Sequence, residues 1–261
     1  ASLLLFEQVQ KYIEYTKDYK FVKENIYIKL ESIIDNYISG NNFDNNNIYL
    51  DKDGLISSGT DDTQNTWMDA KYNNIAVTPR NGKAVEINAM WYNANMIMAN
   101  LTMKIGDLLR IKKYKELAKK CKASFEEKFY NPKTKCLYDV IGDGKIRPNQ
   151  LFALSLTYPV INPNSEIAKN MINIVEKKLL NNYGLKTLAK GEEKYIEVYE
   201  GDPCHRDTSY HQGITWPWLL GLYYNSLKNI EKEEKDKEIK AQASQKIEKF
   251  KNKVYRHLKQ N

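Results

Sequence analysis

Apolar positions recur at helical spacing from the start of the chain. In residues 2–16, Leu3, Phe6, Val9, Tyr12 and Ile13, with Gln10 among them, share one broad face, the period of an amphipathic helix. Asp18 is placed to cap a second helix running to about Tyr37, with Phe21, Ile26, Leu30, Ile33 and Ile34 inward and Gly40 ending it. Together they predict an αα-hairpin. Residues 41–62 are rich in Asn, Asp and Gly and read as a surface loop with a short strand at Ile48 to Leu50. Asp51-Lys52-Asp53-Gly54 lacks the acidic spacing of an EF-hand and predicts a turn.

Helical periodicity returns from Glu86 to about Lys104 and from Asp107 to about Tyr130, where Asn131-Pro132 stops it. Residues 136–146 read as a small hairpin turning at Gly142-Asp143-Gly144. A fifth helix starting near Pro148 would carry Asn149, Gln150, Phe152 and Leu156, and Ser165 would cap a sixth. Residues 181–206 are too long for a plain connector and predict a functional loop. A seventh helix is expected over His211 to Asn225, and a basic amphipathic helix over about 230–259. The expectation is an all-α fold of about eight helices in consecutive hairpins, with long loops between partners. No strand-rich region, repeat or low-complexity tract stands out.

Composition narrows the classes. The length, 261 residues, suits one domain with a sizeable core. No apolar run approaches the ~20 residues of a membrane span, and no secretory signal opens the sequence. Cys121, Cys136 and Cys204 are odd in number and widely spaced, which points to reduced thiols in a cytoplasmic setting. The net charge is +7, but Lys228 to Asn261 holds eleven Lys and Arg against six Asp and Glu. There the signs alternate along a solvated helix. No basic, aromatic surface for nucleic acid is visible, so neither nucleic acid nor membrane is an expected partner.

Candidate chemistry gathers in two blocks. The first runs from Thr66 to Asn93: Thr66-Trp67-Met68-Asp69-Ala70-Lys71, a loop through Pro79, Arg80, Asn81, Gly82 and Lys83, then Glu86, Asn88, Trp91, Tyr92 and Asn93. The second is Tyr199 to Trp218, YEGDPCHRDTSYHQGITWPW. Both interleave aromatics, which take the C–H faces of sugars, with carboxylates, amides and guanidinium groups that fork onto paired hydroxyls. Each residue also has a plainer reading. Trp91 at a helix start suits a core, Asp69 could pair with Lys71, and Arg206-Asp207 could be a structural ion pair. His205, His211 and His257 make no zinc spacing with the cysteines. There is no Gly-x-Ser-x-Gly elbow and no phosphate loop.

As strings, TWMDAK followed by VTPRNGKAVEINAMWYNA, and the later Arg-Asp-x-x-Tyr-His-Gln-Gly-x-x-Trp, resemble the amylo-α-1,6-glucosidase (glycogen debranching) family. With their flanks they cover most of residues 1–225. The resemblance implies an (α/α)6 barrel glycoside hydrolase domain over 1–261. It would lack the barrel's first helices, because the family's early Trp-Gly-Arg-Asp-type motif has no counterpart here. It also implies α-1,6-glucosidic cleavage in a glycogen- or starch-like glucan by an inverting two-carboxylate mechanism, without cofactor or metal. By that resemblance Asp69 is the acid. Glu200 is the first candidate for the base, with Glu197 and Asp207 as rivals. Trp67, Lys71, Arg80, Lys83, Glu86, Asn88, Trp91, Gln150, Arg206, Asp207, His211, Gln212 and Trp216 are the candidates for hydroxyl binding and stacking. A trehalase-like or other α-glucosidase of the same fold, or a non-catalytic carbohydrate-binding helical module, are the alternatives; the oligomeric state is open.

Overall fold

A computed structural model describes residues 2–40 and 46–260; residues 41–45 of the expected surface loop lie outside the described residues. The chain is mainly helical: α1 (Ser2–Thr16), α2 (Tyr19–Phe21), α3 (Tyr27–Ser39), α4 (Val85–Ile105), α5 (Leu108–Phe129), α6 (Phe152–Ser155), α7 (Glu166–Lys178), α8 (Pro203–Ser209), α9 (Leu220–Glu233) and α10 (Lys237–Gln260). Four two-stranded antiparallel ribbons link them: β1 (Tyr49–Leu50) with β2 (Ile56–Ser57), β3 (Lys71–Tyr72) with β4 (Ile75–Ala76), β5 (Tyr130–Asn131) with β6 (Cys136–Leu137), and β7 (Leu185–Lys186) with β8 (Thr215–Trp216). Among the described residues no helix is long and apolar enough to cross a membrane. Cys121, Cys136 and Cys204 are free thiols.

The core is organised around α4, whose side chains are buried nearly all round. A helix apolar on every side must be enclosed on every side. It forms a hairpin with α5 across Gly106-Asp107 and packs against α1, α3 and α6. α1 buries Leu3, Phe6, Val9, Gln10 and Ile13, as its period predicts, whereas Tyr12 of the expected face is exposed. At the other end of the chain, α9 and α10 form a second pair and α6 rests on α9.

Five sequence expectations change. The second helix is capped by Asp18, whose carboxylate accepts from the Phe21 N–H at 2.9 Å, but Val22–Ile26 is a π turn. Val22 and Tyr27, five residues apart, both point inward, and Phe21 is exposed; a wider turn is the backbone's way of accommodating that spacing. The predicted 136–146 hairpin is two structures. Residues 136–137 pair back with 130–131, and a separate tight turn joins Val140 to Asp143. The fifth helix is only a 3₁₀ turn, Pro148–Leu151, followed by α6. It stops because Asn229 takes the carbonyls of Leu154 (2.7 Å) and Leu156 (3.0 Å), while Glu7 and Asn93 take the amides of Thr157 and Tyr158.

The seventh helix starts at Leu220 rather than His211, since Thr215–Trp216 is a strand and Pro217 opens a 3₁₀ turn. The basic tail helix divides at Glu234, with Asp236 capping α10 through the amides of Glu238 and Ile239. The Asp51–Gly54 turn forms as expected. Its carboxylates are held by Lys83, 2.6 Å from Asp51 and 2.7 Å from Asp53, and by Lys128, 2.6 Å from Asp53.

Candidate active site

Trp67 is the meeting point of the two motif blocks. Its indole lies nearly perpendicular to His211 (centroids 5.2 Å apart), Trp216 (6.1 Å) and Trp218 (5.0 Å). Trp216 stacks on His211 at 5.7 Å, meets Tyr210 edge-on at 4.9 Å and donates its indole N–H to the Tyr210 carbonyl at 3.1 Å. Tyr199 extends the cluster through Tyr210. Trp67 and Trp216 are partly exposed, and Trp218 and Tyr199 are about half exposed. The result is an aromatic surface with a packed base.

Short local structures present the carboxylates beside this surface. Asp69 lies two residues before β3, whose hairpin turns through Asn73 and Asn74 at positive φ, the backbone a tight two-residue turn requires. Glu200 lies three residues before α8, which Asp202 caps through the His205 amide at 2.9 Å. α8 packs against β3. Asp69, Lys71, Glu200 and Arg206 are exposed and Asp207 is partly so. Their charged groups make no ion pair with one another among the described residues. Glu197 differs. Its carboxylate takes Lys186 at 2.8 Å and Lys190 at 3.4 Å, and the Lys186 hydrogen bond holds it below the usual carboxylate range.

Behind the aromatic surface lies a buried ionic quartet. Arg80 forks onto Glu86 and reaches Asp139 through Nε at 2.6 Å, with the three side chains 1% exposed. Arg147 Nε stands 3.6 Å from the same carboxylate. Two cations thus balance two anions, as burial demands. Burial opposes the Arg80 charge, but Asp139 and Glu86 outweigh it and hold its pKa above the ordinary value. For Arg147 burial prevails, and its pKa is lowered. Arg147 donates to the carbonyls of His211 (2.7 Å) and Thr187 (3.0 Å) and to Gln212 Oε1 (2.9 Å); Gln212 in turn donates to the Val77 carbonyl and to Thr78. The late block is therefore fastened to the early one through Gln212, which Arg147 holds in place.

The sequence-predicted binding residues divide accordingly. Trp67, Lys71, Arg206, Asp207 and Trp216 reach solvent around the cluster. Arg80, Glu86, Asn88, Trp91, Gln150, His211 and Gln212 do not: each is at least nine-tenths buried. Asn88 spends its amide on Ile56 and Ala84, Gln150 on Leu137 and Arg147, and Trp91 lies in the core against Tyr37. These seven side chains are buried, and the polar groups of Arg80, Glu86, Asn88, Gln150 and Gln212 are engaged inside the protein. Lys83 belongs to the Asp51–Asp53 turn. Sequence reasoning missed Asp139, Arg147 and Asn149, together with the exposed rings of Trp218 and Tyr199. Trp218 and Tyr199 lie inside the second block, and their aromatic character there was the available signal.

His211 offers a test of how dry this region is. Burial first, then Arg147 and Arg80, push its pKa down to about 4. The folded protein keeps it neutral, while the unfolded chain protonates it below an ordinary value of about 6.5. Stability is therefore lost as pH falls from about 6.5 to about 4, by up to roughly 3 kcal/mol. Denaturation of His211→Gln should have a shallower acid slope than wild type across that window. Equal slopes would place the imidazole in contact with water.

Known proteins resemble this chain in sequence and in fold. The profile of the amylo-α-1,6-glucosidase family matches residues 1–261. A glycogen debranching enzyme of Saccharomyces cerevisiae is 25% identical over 218 residues, covering 65% of this chain and 14% of the relative. A solved structure of a sialidase superposes with a TM-score of 0.60 at 16% identity, over 86% of this chain and 19% of that one; the likeness is one of fold. The chain spans about a seventh of the yeast relative's length and a fifth of the sialidase's. Matched by the family profile along its whole length, the chain belongs to the amylo-α-1,6-glucosidase family.

Proposed function

We propose that this chain supplies the glucan-cleaving site of a glycoside hydrolase acting on α-1,6-linked glucose at the branch stubs of a glycogen- or starch-like polymer. One observation carries the reading. Blocks separated by more than a hundred residues converge on a single aromatic surface, where Trp67 of the first meets His211, Trp216 and Trp218 of the second. Ring faces at Trp67, Trp216 and Trp218 suit the apolar faces of glucose. Lys71, Arg206 and Asp207 suit its hydroxyls.

Asp69 donates the proton to the departing glycosidic oxygen, and Glu200 activates water on the opposite face of the sugar, inverting the anomeric carbon. Such a pair must stand ~6.5–9.5 Å apart across the bound sugar to admit that water. Asp207 is the alternative base, since Glu197 is already taken by two lysines. Docking of the sugar on the rings excludes water and strengthens the electrostatics of the reacting groups. The helix pairs form part of an (α/α)6 toroid, and the free thiols suit a cytoplasmic enzyme.

The test is to incubate the full-length protein with branched limit dextrin, trehalose and linear maltooligosaccharides, following the anomer of the released glucose by NMR. Free β-glucose from the branched substrate is expected first. Early α-glucose would make the mechanism retaining. Turnover of trehalose alone would shift the substrate class, and ligand binding without turnover would favour a carbohydrate-binding module.

A further inference from the structure

Trp67 does more than border the proposed site, because its ring is tied to the buried quartet by one residue. Its Nε1–H donates to Asn149 Oδ1 at 2.7 Å, and Asn149 Nδ2 donates to Asp139 Oδ1 at 2.8 Å. An indole N–H can only donate and a carboxylate can only accept, so the amide has one permitted orientation: oxygen toward Trp67, nitrogen toward Asp139. Asp139 is itself fixed by the Arg80 fork, with Nε at 2.6 Å and Nη2 at 3.0 Å, and Arg80 by Glu86. Asn149 is fully buried, and its amide also faces the Met68 sulfur at 3.6 Å. An unbroken chain thus runs from Glu86 through Arg80, Asp139 and Asn149 to an aromatic ring that reaches solvent.

We infer that Asn149 is a positioning residue which, through the Trp67 indole, sets the ring against which the glucosyl unit stacks and so the sugar's alignment with Asp69. The inference rests on the functional reading above. Its physical basis is that a side chain two residues from the acid has its torsions fixed by a bond to a rigid, desolvated anchor, and that small misplacements of a substrate cost large factors in rate.

The experiment uses the full-length protein labelled with ¹⁵N at the tryptophan indoles. Trp67→Phe keeps a flat ring without the N–H and identifies the Trp67 signal. In wild type that indole proton should exchange slowly, and Asn149→Ala should speed its exchange at least tenfold. On branched dextrin, Asn149→Ala should lower kcat/KM by about 10- to 100-fold, but by less than about twofold when introduced into Trp67→Phe, because its route of action is already gone. Asn149→Ser, which cannot span the distance to the indole, serves as the second variant should the alanine fail to fold.

Unchanged indole exchange in a folded Asn149 variant would overturn the inference whatever the substrate. An equal loss of activity in both Trp67 backgrounds would overturn it too, leaving Asn149 a general structural residue and the functional reading intact. If wild type cleaves and binds no glucan, the functional reading fails and the sugar-positioning role falls with it. The exchange data would then report only whether Asn149 holds the ring.

Discussion

Arg80→Met is expected to lose about 3–5 kcal/mol of folding stability, the usual penalty for breaking a buried pair from one side. The substitution leaves Glu86 and Asp139, each with a side chain 1% exposed, without the group that joins them. Arg147, at 3.6 Å from Asp139 and already committed to two carbonyls and Gln212, is poorly placed to replace it. Against a typical domain stability of about 5–15 kcal/mol, such a loss would markedly lower the thermal midpoint. Adding Glu86→Leu should restore part of it, since one uncompensated anion is removed and only Asp139 remains. Equilibrium denaturation of the single and double variants checks both statements. A single-variant loss below about 1 kcal/mol would mean that water reaches the quartet.

Asp69→Asn should lower kcat on branched dextrin by ~10²–10⁴, the range for loss of a general acid, with little change in stability. The second half follows from the structure: Asp69 is exposed and its carboxyl has no hydrogen bond among the described residues, although its backbone carbonyl accepts from Gln64 at 2.9 Å. Glu200→Gln should behave likewise, whereas Glu197→Gln should act weakly, because the Glu197 carboxylate is spent on Lys186 and Lys190. Should Asp207→Asn prove as damaging as Asp69→Asn while Glu200→Gln does not, the base is Asp207. Near-normal turnover by Asp69→Asn would remove the acid role from it altogether.

What the sequence made legible was local. The face of α1, the extent of α4, the caps at Asp18 and Ser165 and the turn at Asp51–Gly54 each depend on residues close together in the chain, and all appear in the structure. The π turn escaped because a single irregular interval, Val22 to Tyr27, is lost in an otherwise regular pattern. The support behind the aromatic surface escaped for a different reason. Arg80 and Asp139 are 59 positions apart, and Trp67 and Asn149 are 82; no periodicity spans such distances. Asn88 and Gln150 show the matching ambiguity of polar side chains. An amide that bridges buried backbone groups and one that binds a hydroxyl have the same composition, and only burial separates them.

The loop that carries Glu197, Tyr199 and Glu200 is held by its main chain. Ile196 donates its backbone N–H to the Gln212 carbonyl at 2.7 Å, and Thr187 donates its own to Ile214 at 3.1 Å. Gly213, at φ 143°, lets the crossing strand pass: a Cβ there would lie 2.4 Å from the Ile196 carbonyl, and one on Gly184 would lie 2.7 Å from that of Trp216. The path is thus written largely in peptide groups and two missing methyls; residues 196–200 are exposed, with Glu197 also tied to Lys186 and Lys190 and Tyr199 set against Tyr210. Route and chemistry are separable along this segment. Exposed positions such as Val198 and Glu200 can therefore change with little effect on the route, whereas Gly184 and Gly213 cannot take a side chain without a clash.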